Sequence, residues 1–296
     1  MDSILQHSSS LPTSDERVAS SQGLNHPRVT REERARLRLL IVEDNKVNQV
    51  VALGILENLG YQADVAADGR DALGALGRKD YDLILMDCQM PEMDGYEAAR
   101  LIRQRDTAVR NHDIPIIAVT AHALAGDREL CLAAGMNDYI SKPLRTDLLD
   151  QTIEQWTAGA RAGSERMTPP AELAAAGGSK LFDSGDFTDR LMGNQQLAQR
   201  IVRGFIDDMP RQIALLARAV NDGDAGQVRL VAHSIKGAAS SVCGLEVQEV
   251  ARNLEQMGRA GDLTATDAAL LELSASFARV RPMMERFSRP ELDSDR

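Results

Sequence analysis

Short apolar runs alternate with helical stretches along the chain from Leu37 to about residue 157. Each run is too continuous for a half-exposed antiparallel strand, and stretches with helical spacing, such as Val47 to Leu59, separate the runs. Three runs are strong and two are weaker: Leu39 to Val42, Leu83 to Met86 and Ile114 to Val119, then Ala63 to Ala66 and Asn137 to Ile140. The pattern predicts an α/β fold, a doubly wound five-stranded parallel sheet with five helices over residues 37–157.

Strand signals are absent from Phe187 onward, where apolar residues recur at helical spacing. The stripes are Leu197, Ile201 and Phe205; Ile213, Leu216 and Val220; Val228, Val231 and Ile235; Val247, Val250, Leu254 and Met257; and Leu270, Leu273 and Phe277. Polar or glycine-containing turns at residues 221–224 and 258–262 separate them. This spacing predicts an all-α four-helix bundle over residues 183–288.

Three segments lack this periodicity. Residues 1–36 are rich in Ser, contain Asn, Gly and Pro, and are expected to form a disordered lead-in. Their charged end, from Arg28 on, fits either a short helix or a solvated linker, and the linker is favoured. Residues 158–182 are rich in Ala, Gly and Pro and predict a flexible linker, and residues 289–296 form a C-terminal tail.

The charge, the hydropathy and the cysteine content of the chain disfavour several classes of partner and site. With 34 basic and 44 acidic residues, the net charge of −10 disfavours nucleic acid as a partner. No apolar run approaches the roughly 18 residues of a membrane segment, and no cleavable leader is visible, so we expect a cytoplasmic protein. Cys88, Cys131 and Cys243 are too widely spaced for a thiolate metal site, and their odd number does not suggest a disulfide framework.

Polar residues follow four of the predicted strands, where the ligand site of an open α/β sheet lies. Glu43 and Asp44 follow the first strand, Asp87 the third, Thr120 the fourth and Lys142 the fifth. Clustered carboxylates predict a Mg²⁺ site, and Asp87 is placed to attack phosphorus as a nucleophile. The metal, Lys142 and Thr120 would then neutralise the phosphoryl oxygens. Any one of these residues alone is more often an ordinary loop residue.

Four segments resemble the receiver domains of two-component signalling: Leu39 to Asn45, Met86 to Gly95, Val119 to Ala121 and Ser141 to Leu144. The resemblance implies a flavodoxin-like sheet with Asp87 as the phosphoacceptor. It further implies Mg²⁺ bound by Glu43, Asp44, Asp87 and the backbone carbonyl of Gln89, a Thr120 and Tyr139 switch pair, and phosphoryl binding by Lys142. Gln89 and His122 would tune the phosphate lifetime, although an ordinary exposed loop histidine describes His122 equally well.

One of the five histidines lies in a patterned context, in which His233, Lys236 and Gly237 share a helix face. An exposed imidazole can accept a phosphoryl group, Lys236 would offset its charge, and Gly237 would admit a docking partner. The alternative is a solvent-facing or satisfied histidine beside a packing glycine. The stretch resembles the histidine phosphotransfer (HPt) domain, a four-helix bundle with a His-x-x-Lys-Gly signature. Many members have glycine ten residues after the histidine, where this chain has Cys243.

Together these resemblances predict a phosphorelay protein that moves a phosphoryl group between Asp87 and His233, resembling the C-terminal part of a hybrid sensor histidine kinase. A sensor histidine kinase would supply the phosphate and a downstream response regulator would accept it. No Walker loop or ATP-binding kinase domain is found, so whether the chain counts as an enzyme stays open.

Three other readings are weaker. A phosphatase of the haloacid dehalogenase type normally has a second acid two residues after its nucleophile, and this chain has Gln89 there. A pure interaction module with a degenerate pocket would lack one of the pocket carboxylates or the pocket lysine, and this chain has all of them. A transcription factor would need a helix-turn-helix or a basic face in the bundle, and neither is apparent.

Overall fold

The computed structural model describes residues 29–120, 125–157 and 181–289. Most of the predicted lead-in (1–28), most of the predicted linker (158–180), the tail from residue 290 and His122 lie outside the described residues. Within the described ranges, no helix combines the length and the apolar content that crossing a bilayer requires.

Five parallel strands form one sheet in the order β2-β1-β3-β4-β5. Their bounds are Arg38–Val42 (β1), Gln62–Ala66 (β2), Leu83–Asp87 (β3), Ile116–Thr120 (β4) and Asp138–Ser141 (β5). The helices are Arg31–Arg34 (α1), Lys46–Leu59 (α2), Gly69–Arg78 (α3), Gly95–Arg103 (α4), Ala125–Ala133 (α5) and Thr146–Thr157 (α6). The predicted doubly wound parallel sheet is thus confirmed, with strand ends shifted by two residues at most.

Alternate residues of each strand enter two separate cores, one on each face of the sheet. Leu39 and Ile41 pack with α2 and α6, whereas Leu40 and Val42 pack with α3, α4 and α5. Both faces are therefore buried, which is why the strands appear in the sequence as continuous apolar runs.

Between residues 181 and 289 the structure has five helices: Ser184–Arg190 (α7), Gln195–Asn221 (α8), Ala225–Ser241 (α9), Leu245–Ala260 (α10) and Thr266–Phe287 (α11). Each of the four long helices, α8 to α11, packs on the next one in chain order, and α11 also packs on α8. This closed arrangement is the predicted all-α four-helix bundle.

Helix α2 lies between the sheet and the bundle, and it packs on α8 and α9. Asn45 caps its N-terminus, because the Asn45 side-chain oxygen accepts hydrogen bonds from the backbone of Val47 and Asn48. Gly60 ends the helix in the left-handed conformation, with φ of 94°. The apolar core on this face of the sheet continues into the core of the bundle.

Two stretches at the predicted domain boundaries are ordered in the structure. Thr30 and Glu33 form a capping box around α1, and Arg34 donates to Asp150 and Glu154 of α6 at 2.9 and 2.5 Å, so residues 29–36 are structured. At the end of the predicted linker, Phe182 is buried and packs against two rings of the bundle, Phe187 and Phe287. Each segment has a partner far away in the chain, Asp150 and Glu154 for Arg34 and Phe287 for Phe182, which local composition cannot reveal.

Candidate functional site

Three carboxylates meet where β1 and β3 end. The two strands are neighbours with Val42 opposite Met86, so the residues that follow, Glu43 and Asp87, leave the sheet at the same level. Oxygen atoms of Glu43, Asp44 and Asp87 lie within 4.8 Å of one another. The topology therefore brings together the three acids that the sequence predicted as metal ligands.

Lys142 closes this acidic cluster from the end of β5. Its ammonium group donates to Glu43 Oε2 and Asp87 Oδ2, each at 2.7 Å, and its backbone N–H donates to the Thr120 carbonyl at 2.7 Å. Burial by itself would lower the pKa of Lys142, but Asp87 and Glu43 raise it above its ordinary value. Lys142 is therefore a permanent cation beside Asp87.

The electrostatics and the ligand set of this cluster fit a hard divalent cation. Burial raises the pKa of Asp87 to about 7 despite Lys142, and burial and Glu43 raise that of Asp44 to about 6. A cation with oxygen ligands would relieve both effects. Gln89 lies beside the cluster: its N–H donates to Asp87 Oδ1 at 3.2 Å, and its buried side-chain oxygen has no hydrogen-bond partner among the described residues.

The two predicted switch residues lie on neighbouring strands and on the same face of the sheet. Thr120 is buried at the end of β4. Tyr139 on β5 pairs in register with Ala118, two residues before Thr120, and packs against the core on the α3, α4 and α5 side. The side chains therefore point in the same direction, as alternate residues of adjacent strands do.

His233 lies on α9 and is only 5% exposed, so the expectation of an exposed imidazole was wrong. Glu255 of α10 accepts a hydrogen bond from its Nδ1 at 2.8 Å, and Asn45, at the start of α2, contacts the adjacent Ser234. Lys236, one turn on, donates to the other oxygen of Glu255 at 2.5 Å. A single buried carboxylate thus holds both predicted residues.

Glu255 determines the protonation of the imidazole. Burial would raise the pKa of Glu255, but hydrogen bonds from His233 and Lys236 lower it to about 2, so it is an ionised acceptor. Nδ1 of His233 must therefore carry a proton. Burial lowers the pKa of His233, and this effect is larger than the increase caused by Glu255. The ring is therefore neutral near pH 7, with its lone pair on Nε2.

Sequence reasoning missed Glu255. The residue lies 22 positions after His233, on a different helix, among other charged residues of α10. No local pattern distinguishes it from its exposed neighbours, because only the packing of α10 on α9 brings it to the histidine.

Two asparagines join the acidic cluster to the histidine helix. Asn48 donates to Glu43 Oε1 at 2.9 Å, and its own carbonyl oxygen accepts from the Ser241 hydroxyl at 2.9 Å. Asn45 donates to the Ser234 hydroxyl at 2.8 Å. A β-carbon on Gly237 would lie 3.2 Å from the Asn48 amide nitrogen, so this glycine stands where α9 comes close to α2.

A cavity lies at the same junction. Asp87, Lys142 and Asn48 line it from the sheet side, and Ser241 lines it from the bundle. The acidic cluster therefore opens toward α9, the helix that carries His233.

Comparison with known proteins identifies both halves of the chain. Residues 39–154 match the family model "Response regulator receiver domain", and residues 200–283 match the family model "Hpt domain". The chain is a response regulator receiver domain followed by an Hpt domain. The two resemblances seen in the sequence are thereby confirmed.

Two similar curated proteins are histidine kinases by name. The chain is 31% identical over 268 residues to sensor histidine kinase GacS of Pseudomonas protegens, covering 89% of this chain and 28% of that protein. It is 29% identical over 234 residues to signal transduction histidine-protein kinase BarA of Escherichia coli strain K12, covering 79% of this chain and 25% of that protein. The chain thus spans about a quarter of the length of these relatives.

Among solved structures, the receiver domain of sensor histidine kinase PA1611 from Pseudomonas aeruginosa is 47% identical, and the match covers 41% of this chain and 98% of that one, with a TM-score of 0.38. That structure has a magnesium ion coordinated in its active-site cleft. The receiver domain of Ssk1 from Saccharomyces cerevisiae, crystallised with the phosphotransfer protein Ypd1, is 30% identical over 41% of this chain and 89% of that one, with a TM-score of 0.37.

The Hpt domain forms the turn after α9 without the glycine that many members have. Cys243 occupies that position with φ of 56°, in the left-handed region that favours glycine. Its thiol is buried and donates to Asp186 Oδ2 at 3.4 Å. The turn therefore forms with cysteine in place of glycine, and the Cys243 side chain points toward α7.

Proposed function

We propose that the chain acts in phosphorelay signal transduction by exchanging a phosphoryl group between Asp87 of the receiver and His233 of the Hpt domain. The observation that carries the proposal is the hydrogen-bonded path from the acidic cluster to the histidine helix, through Asn48 to Ser241 and through Asn45 to Ser234. This path brings the two acceptor sites to one junction.

In the proposed exchange, the Asp87 carboxylate attacks phosphorus and the bond to the donor's leaving group breaks, which gives an acyl phosphate. Nε2 of His233 then attacks the same phosphorus, and the bond between phosphorus and the Asp87 oxygen breaks. Lys142 lies 2.7 Å from Asp87 and would hold a phosphoryl oxygen, with Thr120 at the neighbouring strand end. Lys236 would offset the negative charge on the phosphorylated ring.

We propose Mg²⁺ as the cofactor, held by Glu43, Asp44, Asp87 and the backbone carbonyl of Gln89. When bound, the ion would neutralise charge on the phosphoryl oxygens. The cluster of three carboxylates and the raised pKa values of Asp44 and Asp87 support this assignment. Tyr139 and Thr120 would report the phosphorylation state as the switch pair.

The partners follow from the two domain types. A sensor histidine kinase would donate to the receiver and a downstream response regulator would receive from the Hpt domain, with no role for nucleic acid. We assign the receiver to residues 37–157, with α1 packed on it, and the Hpt domain to residues 183–288, with Phe182 packed on it, so that the proposed linker 158–182 shortens to 158–180. Because Cys88, Cys131 and Cys243 are free thiols, we propose the cytoplasm as the compartment.

Labelling by acetyl phosphate tests the exchange. Wild-type protein should carry both acid-labile phosphohistidine and base-labile aspartyl phosphate. His233→Gln should carry the aspartyl form alone, and Asp87→Asn should carry little of either. His112→Gln and Asp106→Asn are matched controls outside both sites and should label like the wild type. Phosphohistidine formed at the wild-type rate in Asp87→Asn would contradict entry through Asp87.

A further inference from the structure

Helix α2 of the receiver packs on α8 of the Hpt domain through an unusually close contact between a glycine and a leucine. A β-carbon on Gly54 would lie 2.4 and 2.6 Å from the two terminal carbons of Leu197 and 3.0 Å from its Cγ. The end of the leucine side chain therefore occupies the space that any other residue at position 54 would fill. Leu197 is only 5% exposed, so it has little room to move aside.

Hydrogen bonds flank this contact on both sides along α2. Toward the C-terminal end, the Asn194 amide donates to the Asn58 carbonyl oxygen at 2.9 Å. Toward the N-terminal end are the contacts of Asn48 with Ser241 and of Asn45 with Ser234, at 2.9 and 2.8 Å. These directional bonds fix how α2 lies along the bundle, and the leucine fixes how closely it approaches.

We propose that Gly54 and Leu197 are a matched pair that selects this chain's own receiver as the docking partner of its Hpt domain. The inference rests on the proposed function, since docking is what brings Asp87 and His233 together, and it names the residues that determine partner choice. A receiver with a larger residue at the position of Gly54 would collide with Leu197.

Selection by this pair combines attraction and exclusion. When the receiver is absent, the end of the Leu197 side chain that faces Gly54 is exposed to solvent, so docking removes that apolar surface from water. A β-carbon at position 54 requires Leu197 to shift, and because Leu197 is buried, we expect α2 to move outward instead and the three flanking hydrogen bonds to lengthen. Specificity of this kind comes from the clash that a wrong partner meets as much as from the contacts of the right one.

The experiment uses the full chain and substitutes each member of the pair. Gly54→Leu fills the hole, and Leu197→Ala removes the three carbons that occupy it; the double variant restores a large residue facing a small one. Gly74→Leu on α3 is the matched control, because a β-carbon there meets only the flexible end of the Arg78 side chain. Gly204→Ala on α8, where a β-carbon meets nothing within 4 Å, controls for a change in that helix.

Two readouts are measured on each variant: the rate at which phosphate moves from Asp87 to His233 after charging with acetyl phosphate, and the radius of gyration from small-angle X-ray scattering. Gly54→Leu should slow transfer at least tenfold and expand the chain, with Asp87 labelling unchanged, which also shows that the receiver is folded. The double variant should recover most of the transfer rate and the compact dimensions. Both controls should behave like the wild type.

Unchanged transfer and unchanged dimensions in Gly54→Leu would overturn the matched pair, and so would a double variant no better than the single one. Failure of the proposed function looks different: wild-type His233 would acquire no phosphate while Asp87 still labels. The scattering measurement tests the docking pair even in that case, because it does not depend on transfer.

Discussion

His233 Nδ1 and Glu255 Oε1 lie 2.8 Å apart, so a buried carboxylate fixes the tautomer of the imidazole. Glu255 also accepts a hydrogen bond from Lys236. It is therefore the common partner of the histidine and the lysine of the His-x-x-Lys-Gly signature. It is a positioning residue in the proposed exchange, because it acts through His233 and does not itself touch phosphate.

Replacing Glu255 by Gln should therefore impair both stability and transfer. The substitution leaves the buried Lys236 without its anionic partner, and breaking a buried pair in this way costs about 3 kcal/mol of unfolding free energy. Loss of the fixed tautomer should slow transfer to His233 at least tenfold. Urea unfolding and labelling measure the two effects, and ring-nitrogen NMR should show a mixture of tautomers in place of the single one. Glu249→Gln, exposed on the same helix, is the control.

The stability that Glu255 contributes should depend on pH in a defined direction. Its pKa in the folded protein is about 2, against an ordinary value of 4.5. A lowered carboxyl pKa gives stability that is complete above the unfolded-state value and is lost as the pH falls from about 4.5 toward 2. The difference in unfolding free energy between the wild type and Glu255→Gln should shrink over that range. A difference that stays constant from pH 7 to pH 3 would contradict the assignment.

Lys142→Met should destabilise the receiver when Mg²⁺ is absent. The substitution removes the cation that contacts both Glu43 and Asp87, so two buried carboxylates repel each other and the pKa of Asp87 rises further. We expect a loss of about 3 kcal/mol, by comparison with other broken buried pairs. Adding Mg²⁺ should recover part of this loss, whereas labelling of Asp87 should stay low. Lys79→Met, on the exposed pair with Asp64, should change stability by less than about 1 kcal/mol.

Asp44→Asn should weaken Mg²⁺ binding while leaving the fold intact, because Asp44 lies on the loop after β1 and not in the apolar core. Thermal unfolding of the wild type should shift upward as Mg²⁺ is added, since binding to the folded state alone stabilises it. The shift should be much smaller in Asp44→Asn and unchanged in Asp106→Asn, an exposed loop residue. An equal Mg²⁺ response in all three proteins would place the ion elsewhere.

Docking of the receiver should protect His233 from chemical modification. His233 is 5% exposed in the docked arrangement, and we expect the ring to become accessible when α2 leaves the bundle. Diethylpyrocarbonate should modify His233 slowly in the wild type and at least five times faster in Gly54→Leu. His112, half-buried on the receiver and remote from α2 in sequence, should react at the same rate in both and serves as the internal reference.

The sequence by itself determined the fold type and most of the receiver site. Continuous apolar runs predicted β1 to β5, because a parallel sheet buries both of its faces, and the polar residues after those runs predicted the cluster of Glu43, Asp44, Asp87 and Lys142. Such predictions succeed because strand ends of a parallel sheet converge by topology, so positions along the chain translate directly into positions in space.

Tertiary structure alone decided the surroundings of the histidine and the docking of the two domains. Glu255 reaches His233 only through the packing of α10 on α9, and Gly54 meets Leu197 only because α2 packs on α8. Both contacts join residues on different helices. No local sequence pattern marks Glu255 as the partner of His233 or Leu197 as the partner of Gly54. The burial of His233 also depends on this packing of helices. The local sequence therefore predicted an exposed ring, whereas the ring is buried in the structure.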